Sequence, residues 1–209
     1  MSYIGSKPAN KPVVGSDLDP TIITGQTAIG ATPADTDELI ISDAGVLKRM
    51  DYSHIKGGGK IGQVVQTVKT DRSTYGTASF ADISGMSVNI TPAATTSKIL
   101  VMTDAFISVT SNYGAHIKLV RDSTDIYIGD AASSRSRASK GSVHYHGASG
   151  FSMSFMYLDS PSTTSATTYK LQWYPESSAT IAIGGTQNDG DAVYVSRTAN
   201  SITVMEVLA

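Results

Sequence analysis

Residues Lys98 to Val109 read KILVMTDAFISV. The run is apolar at nearly every position, carries β-branched and aromatic residues, and contains neither Gly nor Pro, so it reads as a strand. Because both alternating sets of side chains are apolar, it predicts a central strand, either covered on both faces or turned toward a second subunit. The rest of the chain from Ile61 onward has to supply its neighbours.

It does so with more strands. IGQVVQTVKT spans Ile61 to Thr70; Phe80 to Ile83 and Met86 to Ile90 flank Ser84-Gly85, with Met86, Val88 and Ile90 alternating against Ser87 and Asn89. HIKLV (116 to 120) and DIYIG (125 to 129) read as a hairpin joined through Arg121 to Thr124. Phe151, Met153, Phe155 and Tyr157 share one face, as do Tyr169, Leu171 and Trp173. Ala179 to Ile183, Ala192 to Val195 and Ser201 to Val207 complete the series. Roughly eight to ten short strands with no segment of helical period predict an antiparallel, jelly-roll-like β-sandwich over residues 61 to 209. Trp173 alternates with Leu171 and is expected inside it.

Composition agrees. Among 209 residues only 16% are charged and 19 are glycine, which suits strands joined by many turns. A formal net charge of -2 and a pI near 6.0 give no basic footprint for nucleic acid or an anionic membrane, so neither partner is expected. The chain has no cysteine, which excludes disulfides, thiolate chemistry and Cys-based metal sites. No run approaches the roughly 20 apolar residues of a membrane span, and Met1 to Gly15 lack a signal-peptide core; synthesis in a host cytoplasm is expected.

Ahead of the sandwich lies a joint, residues 24 to 60. ELII and VLKRM flank Ser42-Asp43-Ala44-Gly45, a turn cluster in which Gly45 supplies a positive φ, so a hairpin is expected. Asp51 stands at an N-cap position before one helical turn of Tyr52-Ser53-His54-Ile55, and Gly57 to Gly59 form a linker. A two-stranded hairpin cannot bury itself. Three copies are therefore expected to pack about an axis through Leu39, Ile40, Ile41, Val46, Leu47, Met50, Tyr52 and Ile55. Residues 1 to 23 show no period and form an extended arm whose sizeable apolar groups, Tyr3, Ile4, Val13, Val14, Leu18, Ile22 and Ile23, contact a partner that offsets the cost of ordering them.

Chemistry is sparse. No nucleophile elbow, zinc-protease helix, P-loop or dinucleotide fingerprint occurs. Asp104, Asp159 and Glu206 fall within strands and are expected to face outward, where no glycosidase-like pair forms. Residues 130 to 150 lose apolar periodicity over a length that marks a functional or mobile loop. Within them His144 and His146 project from one face of a strand, spacing that suits a divalent transition metal if a trimer axis multiplied the pair. The other reading is a solvated loop in which Arg135, Arg137, Lys140 and Tyr145 contact a glycan or polar ligand, or nothing, and no cofactor is expected. Tyr113, in the turn cluster Ser111 to Gly114, and Asn188-Asp189, in the Gly-rich run 184 to 190, are further candidate contacts.

The segment GQTAIGATPADTDELIISDAGVLKRMDYSHIK resembles a module of marine tailed-phage structural proteins that precedes fibre-type domains. QVVQTVKTDRSTYGTASFADISGMSVNITPAATTSKILV, KLVRDST, LDSPSTTSATTYKLQ and SITVMEV resemble the C-terminal β-sandwich of phage tail-fibre proteins, and MSYIG is similar to the start of many short phage fibres. The likeness covers about Gly25 to Val207. It implies a non-enzymatic homotrimeric virion protein, anchored through its N-terminus to other tail or capsid proteins and presenting the sandwich to a host surface glycan or protein. A short tail fibre that binds the receptor is the first expectation; a capsid fibre, decoration protein or tail-tip adaptor is the alternative. The resemblance transfers no receptor-contact residues.

Overall fold

A computed structural model describes residues 27, 29–55, 60–144 and 149–208. The chain divides into two units, Met1–Gly57 and Gly58–Ala209. The anchor candidates Tyr3, Ile4, Val13, Val14, Leu18, Ile22 and Ile23 lie outside the described residues, as do Tyr145 and His146.

In the first unit, β1 (Glu38–Asp43) pairs antiparallel with β2 (Val46–Asp51). The strands run through Ser42 and Asp43, so the turn is only Ala44-Gly45, both at positive φ (51° and 83°). Two consecutive left-handed residues make the turn whose twist matches that of the flanking strands. Tyr52–His54 follow as a short 3-10 turn; Asp51 precedes it in extended geometry but makes no side-chain cap, the turn being closed by Ile55 N–H donating to Tyr52 O at 2.9 Å.

The second unit is an all-β sandwich of antiparallel pairs. Its strands are β3 (Ile61–Lys69), β4 (Ser73–Tyr75), β5 (Ala81–Ile90), β6 (Lys98–Asp104), β7 (Phe106–Val109), β8 (Tyr113–Arg121), β9 (Thr124–Ile126), β10 (Lys140–His144), β11 (Phe151–Ser152), β12 (Phe155–Asp159), β13 (Thr167–Pro175), β14 (Ile181–Ile183) and β15 (Asn200–Val207). One sheet has the order β10-β8-β13-β5, with β9 added to β8; a second is β12-β6-β15-β3 and a third β11-β7-β14-β4. The inward residues, among them Met86, Ile99, Ile107, Ile117, Leu119, Tyr169, Leu171, Ile181 and Ile202, form one core. Trp173 is buried within it and stacks on Tyr75 at 5.8 Å.

Several expectations change. Lys98 to Val109 is not one strand covered on both faces: it breaks at buried Ala105 and passes from the second sheet into the third, and Lys98, Leu100, Met102 and Asp104 point away from the core. Among the described residues the strand with every residue buried is the short β14. Ser84-Gly85 does not separate two strands either. β5 runs through it, Gly85 at φ 79° lets the inward set shift from Ile83 to Met86, and the buried stem of Lys69 lies over the space a side chain would fill. Ala192 to Val195 is loop, and part of the aperiodic 130 to 150 segment forms the edge strand β10.

The two large sheets differ on their outer faces. On β8, β13 and β5 the outward side chains are mostly polar and paired, Lys118 with Asp125, Lys170 and Gln172 with Asp82, Thr168 with Asn89, while Tyr174 packs against Phe80 and His116. On β12-β6-β15-β3 they are mostly apolar, which breaks the in–out alternation expected of a sandwich wetted on both outer faces.

Candidate functional site

The hairpin carries its apolar residues in the open. Leu39, Ile40, Val46 and Ile55 are exposed, Ile40 at 80%, while Ile41, Met50 and Tyr52 are half-buried. The register places Leu39 beside Met50 and Ile40 beside Arg49. Glu38 pairs with Arg49 at 2.7 Å, and Asp43 with Lys48, so charge satisfies itself within the hairpin and the apolar groups are left over.

The candidate contacts do not converge. Tyr113 is not presented by a turn: it opens β8, is half-buried, and packs against the core. Arg135 and Arg137 are exposed on the loop between β9 and β10, where Arg137 Nε donates to Gly129 O at 2.7 Å, and Lys140 opens β10. His144 ends β10 opposite Tyr113. Among the described residues no group of three or more His, Asp or Glu is placed to hold a metal.

Asn188 and Asp189 belong instead to the long connection from β14 to β15, and Asp189 is its hub. Its carboxylate lies 2.7 Å from Arg197 and 3.7 Å from Arg72, whose guanidinium also donates to Thr186 O and Gln187 O at 3.0 and 2.7 Å. Ser108 Oγ donates to Ser149 O and accepts from Gln187 N–H, tying the base of this loop to the chain that follows β10. Beyond the base, Asp189, Gly190, Asp191, Ala192, Val195 and Arg197 line a cleft of about 320 Å³, and Val193 and Tyr194 are strongly exposed. The Gly-rich run pointed to this loop, but Arg72 arrives from more than a hundred residues away and no local pattern marks it.

Two of the three strand carboxylates are buried rather than outward. Asp159 accepts from both Arg121 Nη1 (3.0 and 2.8 Å) and Tyr169 Oη (2.7 Å). Burial first, and then the Asp159 carboxylate, push the Tyr169 phenol well above its usual range. Glu206 accepts from Gln63 Nε2 at 2.8 Å and Ala93 N–H at 2.6 Å; burial raises its pKa, but these donors outweigh it and hold it below the ordinary 4.5. Only Asp104 faces outward as expected, accepting from Ser154 Oγ. The buried carboxylates are fully engaged in holding strands together, which is a structural use of charge.

No known protein family matches the chain, and no curated protein matches it in sequence. Among solved structures, infectious bursal disease virus of the Gt strain aligns over 88% of this chain and 43% of its own at 14% identity and a TM-score of 0.39. A mutant VP2 protein of the same virus in derived T=1 particles aligns over 86% and 44% at 15% identity and a TM-score of 0.39. The chain spans less than half the length of these structures.

Proposed function

We propose that the chain is a non-enzymatic structural protein of a virus particle: a short homotrimeric fibre of a tailed phage that attaches the particle to its host. In this reading residues 1 to 23 dock on another tail or capsid protein. The hairpin forms the trimer neck, and the sandwich presents its loops to a surface glycan or protein. No metal or cofactor takes part.

The observation that carries the reading is the hairpin. Two strands joined by a two-residue turn, with Leu39, Ile40, Val46 and Ile55 exposed, cannot be stable alone, whereas three such hairpins bury those groups against one another. The resemblance of the surrounding segments to phage fibre proteins supports the particle. Weak contacts at each sandwich would gain avidity from three copies per fibre.

The test is the position of the protein in purified particles, read by electron cryomicroscopy or by antibody labelling of the sandwich. Projection from the tail is expected, together with inhibition of adsorption by the free protein. A sandwich enclosed by neighbouring subunits would instead make it a decoration or adaptor protein that stabilises or connects other virion proteins.

A further inference from the structure

The connection from β14 to β15, residues 184 to 199, is longer than the ~12–15 residues beyond which an irregular segment in a compact domain is ordinarily either functional or loose. Its hydrogen bonds show that it is not loose. Thr198 N–H donates to Gly184 O at 3.2 Å and closes its mouth. Arg72 and Arg197 both lie over Gly185, where a Cβ would stand 3.3 Å from the Cδ of the first and 3.6 Å from the Cδ of the second, so this glycine lets two guanidiniums converge on Asp189. From that base the chain continues through Gly190 into a turn in which Val195 N–H donates to Ala192 O at 2.9 Å, which sets Val193 and Tyr194 at its two corners. Ala192 and Val195, the ends of the turn, line the cleft of about 320 Å³, and Tyr194, 78% exposed, stands at its rim.

We propose that this cleft binds a neutral sugar ring, with Asp191 and Arg197 hydrogen-bonding its hydroxyls and Tyr194 stacking on its C–H face. The inference rests on the part of the proposed function that gives recognition to the sandwich loops, and it names the loop and the class of ligand. Charge selects a neutral ligand. The charged groups of the loop and its anchor are two guanidiniums, Arg72 and Arg197, and two carboxylates, Asp189 and Asp191, which cancel, so neither an anion nor an amine is favoured. Hydrogen-bonding capacity selects hydroxyls. Asp189 is committed to the arginines, but among the described residues Asp191 has no hydrogen-bond or ion-pair partner, and Arg197, its side chain 57% exposed, keeps donors after Nη2 is given to Asp189. A pure acceptor beside a pure donor suits groups that both donate and accept. Size selects a ring: the cleft is at the small end for ligand sites, too small to enclose a folded segment of protein. The amphipathic Tyr194 ring matches a sugar, which carries an apolar face and a polar edge. Because Arg72 and Arg197 already hold the loop, binding orders little chain.

The test is saturation-transfer NMR on the full chain with the methyl glycosides of glucose, galactose, mannose and N-acetylglucosamine, and with N-acetylneuraminic acid and glucose 6-phosphate as acidic counterparts. Transfer to the ring protons of at least one neutral glycoside is expected, with the acidic pair bound at least tenfold more weakly. Tyr194→Ala and Asp191→Asn are each expected to weaken the neutral glycoside at least tenfold. Both side chains are exposed, so circular dichroism should show the sandwich folded in each variant. No transfer from any probe, a preference for the acidic pair, or transfer unchanged in both variants would overturn the site. Free protein that inhibits adsorption equally well with and without Tyr194→Ala would overturn it too, while leaving the fibre standing. Inhibition lost in the variants with no transfer from any sugar would make the ligand of this loop a protein and overturn the glycan. Transfer that depends on Tyr194 and Asp191, in a chain whose sandwich proves enclosed within the particle, would uphold the site and overturn the receptor reading.

Discussion

Tyr169 donates its phenol proton to Asp159 across 2.7 Å in the interior of the sandwich, while Arg121 holds the same carboxylate from its more open side. Tyr169 belongs to β13 and Asp159 to β12, so the contact joins one sheet to the other through a polar group inside an apolar core. Removing Asp159 leaves both a guanidinium and a phenol without their acceptor. Asp159→Ala is expected to cost about 3–5 kcal/mol, and Tyr169→Phe, which removes one donor to a charged acceptor, about 1.5–3 kcal/mol. Urea denaturation at pH 7 measures both.

The same contact predicts an alkaline limit. The folded state raises the Tyr169 phenol above its ordinary value of 10.0, through burial first and the neighbouring carboxylate second. A group raised on folding contributes stability that is fully present below the unfolded value and is lost above it. Stability should fall as pH rises past 10.0, and the Tyr169→Phe chain should show a shallower fall. Equal slopes in the two proteins would refute the assignment.

Glu206 sets an acid limit of opposite sign. Burial works against its charge, but Gln63 and the Ala93 amide hold it below 4.5, so its stabilisation is present above that pH and is lost as pH falls below it. Glu206→Gln is expected to lower stability at pH 7 by about 1–3 kcal/mol and to flatten the acid side of the profile. Thermal unfolding between pH 3 and pH 7 reads both effects.

Gly184 turns the chain out of β14 at φ 79°, and a Cβ there would lie 2.6 Å from the backbone oxygen of Asp71. Neither the angle nor the oxygen can yield cheaply. Gly184→Ala is expected to destabilise the sandwich by about 2 kcal/mol or more, whereas Gly129→Ala, with open space around it, should change stability by less than about 0.5 kcal/mol. Paired denaturation curves compare them.

Arg72 fixes the base of the loop that carries Tyr194. Arg72→Met removes the donors to Thr186 O and Gln187 O and the charge near Asp189, so limited proteolysis should cut within residues 186 to 197 at least several-fold faster while the global unfolding midpoint moves little. An unchanged cleavage rate would show that Arg197 and the Ser108–Gln187 hydrogen bond hold the loop without Arg72.

The strand content was legible because period-two alternation is a local property. Met86, Val88 and Ile90, Tyr169, Leu171 and Trp173, and the turn cluster ending at Gly45 each announce themselves within a few residues. Charge placement was not legible in the same way. Asp159 and Glu206 read as outward because a strand carboxylate ordinarily is, and what brings them inside is a set of donors, Arg121, Tyr169, Gln63 and the Ala93 amide, drawn from distant segments. Tyr113 illustrates the same limit: turn composition suggests exposure, but whether an aromatic folds onto a core depends on what that core leaves open.

By itself the sequence determined that this is an all-β chain with a hairpin ahead of a sandwich, since alternation and turn residues are written in consecutive positions. Only the tertiary structure decided which apolar residues are core and which are surface. In KILVMTDAFISV nearly every position looked buriable; strand pairing sends Ile99 and Val101 inward and leaves Leu100 and Met102 on an outer face. A pleated strand has two sides, and which of them meets another layer is set by partners that no single stretch of chain contains.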